Sequence, residues 1–352
     1  MSRPPCGALQ ATATRRSALG ALLALALVGC SRRTPRTATL RLGFFPNVTH
    51  APALLGIEQG LFARSLGDGV TLEPKVFNAG PAAVEALFSG ALDVAYLGPT
   101  PAINAFVKSK GAAVRVIAGA CSGGASMVVR PEIADAAALR GKTVASPQLG
   151  GTQDVALRTW LSKQGFAVAL QGGDVSVLPQ ENAQILEAFR LGTIAGAWVP
   201  EPWASRLVTE GGGRVLVDER TLWPGGRFVT AHLLARRDWL DAQPEQARRL
   251  LEAHLDALEF ITRQPDAARA AVNARLATLT GKPLPEALLA AAWSGLEFTA
   301  DPLATTLVEA ANHAVAAGLL AAFDTPLRDL YALDPLNAAL AGRGRPPVSG
   351  LP

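Results

Sequence analysis

Residues 77–103 read FNAGPAAVEALFSGALDVAYLGPTPAI and contain a helix, a strand and the start of a second helix. The apolar spacing over residues 81–88 predicts the first helix, and the apolar run at 92–97 has the length of a buried strand. A second helix is predicted over residues 101–108, after a turn that contains proline. A helix on each side of a buried strand is typical of βα units, which form a parallel sheet.

The same alternation continues on both sides of this segment, from about Thr39 to Leu234. Apolar runs predict further strands, at residues 40–45, 70–77, 114–120, 126–130, 142–146, 174–178 and 194–199. Helical spacing predicts helices between them, at residues 51–64, 152–164 and 183–191. Two successive series of βα units predict an α/β protein of two lobes, with a cleft where the strands end.

The chain after His232 has a different, helical pattern. Alanine and leucine periodicity predicts further helices, at residues 245–262, 266–278, 285–294 and 303–317. We expect these helices to cover the first lobe from outside. The last residues, 336–352, end in GRGRPPVSGLP, a composition that predicts a flexible tail.

The first 29 residues have the features of an export signal. Arg3, Arg15 and Arg16 precede an apolar run at residues 18–28, and no acidic residue occurs in this part of the chain. The run is shorter than the roughly 20 residues of a membrane-spanning helix. It therefore predicts a signal peptide and not a membrane span.

The segment Leu27-Val28-Gly29-Cys30 resembles the lipobox of bacterial lipoproteins, in which the cysteine thiol takes a diacylglycerol. This resemblance implies a lipoprotein signal peptide over residues 1–29, lipidation of Cys30 and a linker over residues 30–38. Ordinary secretory cleavage beside an incidental cysteine is the alternative. The pair Arg15-Arg16 also resembles a twin-arginine signal, so the export route stays open.

Charge and cysteine content exclude several classes of protein. The 33 basic and 29 acidic residues become nearly balanced once the signal is removed, at a net charge of about +1. No basic cluster with interleaved aromatic residues follows, so no nucleic-acid partner is expected. The absence of CxxC and the wide spacing of the histidines predict neither a metal site nor a cofactor. We expect Cys121 to be a small buried residue and the protein to be a monomer.

Residues 40–240 resemble the solute-binding proteins of nitrate, sulfonate and taurine uptake systems, which share a superfamily with thiamine-pyrimidine synthases. The segments that carry the resemblance are GFFPNVTHAPALLGIEQGLF (43–62), FNAGPAAVEALFSGALDVAYLGPTPAI (77–103), PQLGGTQDVALRTWL (147–161), GAWVPEPWASRLV (196–208) and WPGGRFVTAHLL (223–234). The segment around Trp198 looks closest to the aliphatic sulfonate branch. The resemblance implies a receptor that captures a small organic anion, of the alkanesulfonate or taurine type, and delivers it to the membrane permease of an ABC importer.

The resemblance also implies the type II periplasmic-binding-protein fold, an α/β fold of two lobes with mixed, mostly parallel sheets. The first lobe would comprise residues 39–124 and 226–335, and the second lobe residues 125–225. The crossovers near 122–125 and 225–228 are rich in glycine, which suits hinges. Such receptors are exported, so the implied location is the periplasm or the cell surface, with a lipid anchor.

The turns after two predicted strands suit an anion. The strand at 40–45 runs into Asn47, and a helix follows. The strand at 142–146 runs into Gln148, and again a helix follows. A helix start has unpaired N–H groups and about half a positive charge, so it binds oxyanions without lysine or arginine. Asp154 complicates this interpretation, because a carboxylate in the first helical turn competes with a bound anion.

Glycine, amide, hydroxyl and aromatic residues near these strand ends make up the candidate ligand site. The set is Phe45, Asn47, His50, Asn78, Gly80, Tyr96, Thr100, Ser122, Gly123, Gln148, Gly151, Thr152, Gln153, Trp198 and Glu201. Trp198 and Tyr96 are expected to cover the organic part of a sulfonate. Trp160 and Trp203 have the spacing of core residues. His50 either donates to the ligand or caps the following helix.

Other functions remain open at this point. The same receptor role fits nitrate, bicarbonate, or a pyrimidine or flavin precursor. An enzyme similar to thiamine-pyrimidine synthase is a further alternative, but such enzymes carry a cysteine cluster that this sequence does not contain. Neither GxSxG nor GxxxxGKS/T occurs, so neither a serine hydrolase nor a P-loop nucleotide site is expected. The sequence therefore predicts a binding protein and not an enzyme.

Overall fold

The computed structural model describes residues 38–170 and 172–352. The predictions of a signal peptide at 1–29, of lipidation at Cys30 and of most of the linker lie outside the described residues. Within the described ranges, no helix combines the length and the apolar character needed to cross a membrane.

Strands and helices alternate through the first two thirds of the described chain. The strands are β1 (Ala38–Phe44), β2 (Val70–Val76), β3 (Val94–Leu97), β4 (Val114–Gly123), β5 (Ala125–Val129), β6 (Thr143–Ser146), β7 (Ser176–Pro179), β8 (Gly196–Pro200), β9 (Arg214–Asp218), β10 (Val229–Arg236) and β11 (Leu296–Phe298). The α-helices are α1 (Ala51–Glu58), α2 (Leu61–Leu66), α3 (Gly80–Phe88), α4 (Pro99–Lys108), α5 (Thr152–Lys163), α6 (Asn182–Arg190), α7 (Trp203–Thr209), α8 (Arg237–Ala242), α9 (Pro244–Arg263), α10 (Pro265–Thr280), α11 (Glu286–Ser294), α12 (Ala304–Ala316) and α13 (Asp334–Gly342).

One sheet has six strands, in the order β11-β4-β10-β3-β1-β2. β1 pairs in parallel with β2 and β3, whereas β10 runs antiparallel to β3 and β4. The sheet therefore combines strands from the beginning of the described chain with β10 and β11 from its second half. We call the part of the protein built on this sheet lobe 1.

The other sheet has five strands, in the order β7-β6-β8-β5-β9. β6 pairs in parallel with β7 and β8, and β5 runs antiparallel to β8 and β9. These strands come from the segment between β4 and β10, and we call this part lobe 2. The two passages between the sheets contain Gly123, Gly124, Gly225 and Gly226, whose φ angles of 78°, 73°, 62° and 72° lie in the left-handed region that favours glycine.

Helices cover both faces of the lobe 1 sheet, which explains why its central strands are apolar along their length. On one face, Leu42 belongs to a buried cluster with Leu250 of α9 and Val272 of α10. On the other face, Leu97 belongs to a cluster with Phe106 of α4 and other helical residues. Replacing a buried side chain of this size with alanine typically costs about 2–5 kcal/mol. This packing fixes the strand ends at which the lobes meet.

The predicted helix over 51–64 and the predicted flexible tail differ from the structure. The helix is two helices, because Gly60 between α1 and α2 adopts a φ angle of 63°. The prediction of a flexible tail is wrong for residues 336–342, which belong to α13. This helix packs on the protein through the buried side chains of Leu336 and Leu340. β11 also interrupts the helical second half of the chain by pairing with β4. The remaining predicted strands and helices occur, with ends shifted by a few residues.

Candidate functional site

A cavity of about 40 Å³ lies between the two lobes, and we call it the cleft. Lobe 1 lines it with Phe45, Asn47, Thr49, His50, Asn78, Ala79, Gly80, Gly98, Pro101 and Thr230. Lobe 2 lines it with Pro147, Gln148, Gly151, Thr152, Gln153, Asn182 and Pro200. Apart from Thr230, these residues lie at or after the carboxyl end of a strand that pairs in parallel. A buried water needs roughly 10–15 Å³, so the cleft suits a compact chemical group.

The two lobes touch each other across the cleft. Asn78 Nδ2 of lobe 1 donates to Glu181 Oε1 of lobe 2 at 3.0 Å. Trp203 Nε1 of lobe 2 donates to Asn47 Oδ1 of lobe 1, also at 3.0 Å. These two hydrogen bonds hold the lobes against each other in this structure. The structure also corrects the prediction that Trp203 is a core residue, because this side chain is half-buried and joins the lobes.

Three helices begin at the cleft without a side-chain cap. They are α3, α5 and α6, and their N-cap residues are Ala79, Gly151 and Glu181. The first N–H groups of a helix have no partner within the helix, and they carry a partial positive charge. The starts of α3 and α4 supply fewer donors, because Pro81, Pro99 and Pro101 lack an N–H group. The cleft therefore presents main-chain donors from both lobes to a negatively charged ligand.

Three side chains of lobe 2 add buried polar atoms to these helix starts. Gln148 Oε1, Thr152 Oγ1 and Asn182 Oδ1 are buried and have no hydrogen-bond partner among the described residues. Most buried polar atoms in proteins have a partner. A rotation of the amide group exchanges its oxygen and nitrogen, so Gln148 and Asn182 can present either an acceptor or an N–H donor. Together with the Thr152 hydroxyl, they can complete the polar shell around a ligand.

His50 lines the lobe 1 side of the cleft as a neutral imidazole. The side chain is buried, and burial lowers the pKa of His50 to about 3. The Phe45 N–H donates to His50 Nδ1 at 3.3 Å, which places the ring proton on Nε2. His50 makes no side-chain hydrogen bond that caps α1. Of its two predicted roles, the structure therefore favours donation into the cleft over helix capping.

Asp154 does not line the cleft, although it lies in the first turn of α5. Its Oδ1 accepts from the Ser146 hydroxyl at 2.7 Å, and its Oδ2 accepts from the Gly150 N–H at 2.9 Å. Arg158 Nε lies 3.1 Å from Asp154 Oδ1, and both side chains of this ion pair are buried. The positive charge of Arg158 therefore balances the Asp154 carboxylate, which holds the glycine turn through Gly150 and does not compete with an anion in the cleft.

The expected aromatic cover of the ligand by Tyr96 and Trp198 is wrong, because both side chains are fully buried in the cores of their lobes. The Tyr96 hydroxyl lies 2.9 Å from His254 Nδ1. Trp198 Nε1 donates to Glu219 Oε2 at 2.7 Å, and its ring centroid lies 5.9 Å from that of Trp160. Trp160 is a core residue, as predicted. Strand alternation turns Tyr96 and Trp198 towards faces that helices or other core residues cover.

Ser122 and Gly123 lie at the passages between the lobes and do not line the cleft. Ser122 Oγ accepts from the Phe228 N–H at 3.2 Å. The Thr230 hydroxyl donates to the Gly123 carbonyl oxygen at 2.5 Å. These bonds tie the outgoing passage to the returning one.

Thr100 and Glu201 also lie away from the cleft. Thr100 is buried in the first turn of α4. Glu201 Oε2 accepts from the Ser205 N–H at 3.1 Å at the start of α7, and burial raises the pKa of this carboxyl. Thr100 and Glu201 were predicted as ligand residues because a polar residue occurs at a strand-to-helix turn. The residue type at such a turn does not specify the direction in which the side chain points.

The structure brings most of the predicted residues together. Those that line the cleft are Phe45, Asn47, His50, Asn78, Gly80, Gln148, Gly151, Thr152 and Gln153. Lining residues outside the predicted set are Thr49, Ala79, Gly98, Pro101, Pro147, Asn182, Pro200 and Thr230. Asn182 follows a predicted strand and begins a helix, the same signal that indicated Asn47 and Gln148. Thr230 lies at the start of β10, where the chain returns from lobe 2 to lobe 1, and no local sequence pattern predicts that it lines the cleft.

Comparison with known proteins identifies relatives of this chain. Residues 33–277, more than half of the sequence, match the model of the NMT1-like family. The taurine-binding periplasmic protein of Escherichia coli (strain K12) is 26% identical over 218 residues. That alignment covers 61% of this chain and 64% of the relative, so the chain matches less than two thirds of the relative's length.

Two solved structures share the fold. The alkanesulfonate-binding protein SsuA from Xanthomonas axonopodis pv. citri, bound to MOPS, superimposes with a TM-score of 0.67 at 23% identity, over 81% of this chain and 95% of that chain. The periplasmic nitrate-binding protein NrtA from Synechocystis PCC 6803 gives a TM-score of 0.71 at 18% identity, over 87% and 89% of the two chains. These matches confirm the predicted α/β fold of periplasmic binding proteins.

Proposed function

This chain belongs to the NMT1-like family, and on that premise we propose that it is the solute-binding receptor of an ABC import system. Its ligand is a small organic oxyanion of the alkanesulfonate or taurine type, held between the two lobes. The chain follows the lobe division given above, with lobe 2 inserted between residues 124 and 226.

The observation that carries this proposal is the set of unpartnered polar atoms among uncapped helix starts. Thr152 Oγ1 and Asn182 Oδ1 lie at the starts of α5 and α6, and Gln148 Oε1 lies in the turn before α5. Main-chain N–H groups of α3 lie on the opposite lobe. A site built from such donors stabilises a negative charge without a lysine or arginine. Closure of both lobes around the ligand removes water from it and strengthens each hydrogen bond.

Nitrate and bicarbonate fit the same receptor role, because they are also oxyanions and a helix start does not distinguish them. A pyrimidine or flavin precursor would use the amide groups but not the positive helix ends. Within residues 38–170 and 172–352, cysteine gives no support to catalysis of the thiamine-pyrimidine synthase type, since Cys121 is buried in lobe 1 and burial raises the pKa of its thiol well above the usual range. The receptor role is therefore the one we propose.

The remaining parts of the proposal concern the location of the protein. A lipid on Cys30 anchors the receptor to a membrane, after removal of residues 1–29, and the folded lobes lie in the periplasm or at the cell surface. The membrane permease subunits of the importer are its partners. The lipobox-like segment Leu27-Val28-Gly29-Cys30 and the apolar run before it support this location.

Calorimetry on the purified mature chain tests the ligand class. We expect binding of butanesulfonate or taurine, and the panel includes nitrate and bicarbonate. Thr152→Ala should weaken binding of the preferred anion by about ten- to a hundredfold, since a buried hydrogen bond to a charged group contributes about 1.5–3 kcal/mol. Asn78→Ala should weaken binding less, because Asn78 is exposed and its Nδ2 already donates to Glu181 of the opposite lobe.

Thr159→Ala is the matched control for Thr152→Ala. Thr159 is in the same helix and also has a buried, unpartnered hydroxyl, but it does not line the cleft. Its replacement should leave the affinity unchanged. Binding of neutral or cationic compounds in place of every anion in the panel would overturn the proposed ligand class.

A further inference from the structure

Helix α5 of lobe 2 begins at the cleft with Thr152 and contacts lobe 1 at two further points. Val155 is buried within an apolar cluster of lobe 1 that includes Leu307 of α12. Lys163, the last residue of α5, lies beside His313 of α12, and its Nζ is 3.1 Å from His313 Nε2. A helix rises about 1.5 Å per residue, so this contact is roughly 16 Å from the start of α5 and lies outside the cleft.

The His313 ring has neighbours from both lobes. On α12, Glu309 Oε1 lies 2.9 Å from Nε2, the atom that Lys163 of lobe 2 also approaches. Trp223, just before the passage that returns to lobe 1, packs edge-on against the ring at a centroid distance of 6.0 Å. These neighbours leave the His313 side chain 18% exposed. The surroundings of the ring therefore change when the two lobes separate.

Two charges act on the His313 ring. Lys163, Glu309 and Arg227 are the charged residues among the described residues that line the cavity beside it. The Arg227 guanidinium is bound by Glu297, with Nη2 2.7 Å from Oε1. Burial and the positive charge of Lys163 lower the pKa of His313 from its ordinary value of about 6.5, and Glu309 opposes this shift only in part.

His313 Nε2 can serve one of its two polar neighbours at a time. When the ring is neutral with its proton on Nδ1, Nε2 accepts an N–H from Lys163, which joins the lobes. When the ring is protonated, Nε2 donates to Glu309 within lobe 1, and two positive charges lie 3.1 Å apart. Protonation thus exchanges a bond between the lobes for a bond inside one lobe.

We infer that Lys163 and His313 are positioning residues, whose contact holds the ligand-binding helix α5 against lobe 1 and is released by acid. The inference rests on the proposed function and adds a regulation of the same site. Once α5 is no longer held at its far end, its main-chain donors are less well fixed at the cleft. The receptor therefore holds its anion most tightly near neutral pH and releases it as the surroundings become acidic.

The direction of the pH dependence follows from the exposure of His313. When the lobes separate, the ring regains water and its pKa returns towards 6.5. Below about pH 6.5 the ligand-free protein then takes up a proton that the ligand-bound protein does not. The affinity is fully present above pH 6.5 and is lost as the pH falls below this value, by at most about tenfold per pH unit.

Calorimetry with butanesulfonate at pH 7.5 and pH 5.5 tests the inference, because this sulfonate stays ionised over the whole range. The affinity of the parent should fall about three- to tenfold between the two pH values. His313→Gln keeps an acceptor for Lys163 but does not titrate, so its affinity should fall less than about twofold. Nitrate, which also stays ionised, takes the place of butanesulfonate if the sulfonate does not bind.

The lysine side of the contact is tested with a matched pair of variants. Lys163 is exposed, so Lys163→Met should weaken binding only about two- to threefold at pH 7.5, and its affinity should fall less with acid than that of the parent. Lys142→Met, at an exposed position of lobe 2 just before β6, is the control and should behave as the parent at both pH values. Equal behaviour of the two lysine variants would overturn the role of Lys163.

The outcomes separate the inference from the proposed function. An equal fall of affinity in the parent and in His313→Gln would overturn the inference, because the titration would then belong to another group, such as His50 in the cleft. An affinity of the parent that is constant between pH 7.5 and 5.5 would overturn it as well. In both cases an anion still binds, so the receptor function stands. If neither butanesulfonate nor nitrate binds at pH 7.5, the proposed function fails and the inference falls with it.

A nuclear magnetic resonance titration measures the His313 ring directly. Its imidazole proton signals are assigned by their loss in His313→Gln and followed against pH in the parent, with and without saturating butanesulfonate. The pKa of His313 should be lower in the ligand-bound protein by about half a pH unit or more, the difference that corresponds to a threefold change of affinity. Equal pKa values with and without ligand would show that binding does not change the contact, and would overturn the inference.

Discussion

Gly98 of lobe 1 lies directly against Thr152 of lobe 2. A Cβ atom placed on Gly98 would be 2.3 Å from Thr152 Oγ1 and 3.4 Å from Thr152 Cβ. The φ angle of Gly98 is −72°, which any residue can adopt, so the backbone conformation does not require glycine here. The close approach of the lobes requires it.

Replacing Gly98 with alanine should therefore hinder closure. We expect Gly98→Ala to weaken ligand binding by about five- to a hundredfold, because overpacking of a tight contact typically costs about 1–3 kcal/mol. Calorimetry of Gly98→Ala, Thr152→Ala and the double variant checks this. Since Thr152→Ala removes the clashing oxygen, the double variant should bind no more weakly than Thr152→Ala alone. Additive losses would show that the two residues do not meet in the ligand-bound protein.

The hydrogen bond between Trp203 and Asn47 should contribute to the stability of the closed form. Trp203→Phe keeps an aromatic ring beside Arg206 but removes the donor. We expect about a fivefold loss of affinity, which corresponds to one hydrogen bond of about 1 kcal/mol, and a faster dissociation of the ligand. Trp293→Phe, a half-buried tryptophan that packs on Phe298 outside the cleft, is the control. Equal affinities for Trp203→Phe and the parent would contradict this role.

Small-angle scattering provides an independent measurement of closure. The glycine passages near 123–124 and 225–226 should act as hinges, so a saturating ligand should reduce the radius of gyration modestly. We expect the reduction to be smaller in Gly98→Ala than in the parent. An identical contraction in both proteins would contradict the idea that contact between Gly98 and Thr152 limits closure.

The free energy of unfolding should depend on pH through three buried histidines. Burial lowers the pKa of His50 to about 3 and the pKa values of His232 and His254 to about 4, from an ordinary value of about 6.5. In the unfolded chain these side chains take up protons below about pH 6.5, and in the folded protein they do not. The stability is therefore fully present above pH 6.5 and is lost as the pH falls towards 4, by up to about 1.4 kcal/mol per pH unit for each group.

Glu219 acts in the opposite direction. Burial raises its pKa to about 7, so its contribution to stability is present below pH 4.5 and is lost as the pH rises through 7. We expect urea unfolding to give a lower free energy at pH 5 than at pH 6.5, because three histidines outweigh one carboxyl. Glu219→Gln should make this difference larger. A free energy that is constant between pH 5 and 6.5 would contradict the burial of these histidines in neutral form.

Processing at Cys30 should depend on its thiol. If Cys30 is the first mature residue and carries a lipid, Cys30→Ser should accumulate as unprocessed precursor, and globomycin should have the same effect on the parent. Gel mobility and metabolic labelling with a fatty acid provide the measurement. Cys6→Ser, within the predicted signal peptide, is the control and should be processed normally. Normal processing and membrane anchoring of Cys30→Ser would rule out the lipoprotein assignment.

Most of the strands and helices could be predicted from the sequence because their signals are local. The elements that were not predicted are β9, β10, β11, α7, α8 and α13. Apolar runs of strand length mark β1 and β3, and helical spacing marks α5 and α9. Gly60 is the informative exception. A glycine inside a helical pattern either continues the helix at a cost or breaks it, and the apolar spacing over residues 51–64 does not distinguish the two outcomes.

The cleft was harder to predict because it depends on contacts between distant segments. Asn47 and Thr152 could be indicated, since each lies at a strand-to-helix turn. Tyr96 and Trp198 lie at equally plausible strand ends, but helices cover both faces of a parallel sheet, so the period of the strand does not reveal which side chains reach the cleft. Thr230 enters from a strand that pairs with β3 and β4 only in the folded protein.

The uncapped helix starts around the cleft also affect how such a receptor can evolve. Its main-chain donors are present whichever residue occupies these positions, unless that residue is proline. A point mutation therefore leaves most of the attraction for negative charge intact, which makes this part of the site robust to genetic drift. Substitutions at Gln148, Thr152 and Asn182 would then change the affinity for a particular anion, while the main-chain donors stay in place. A lineage can thus exchange one nutrient for another through a few substitutions, without an intermediate that has lost the capacity to bind anions.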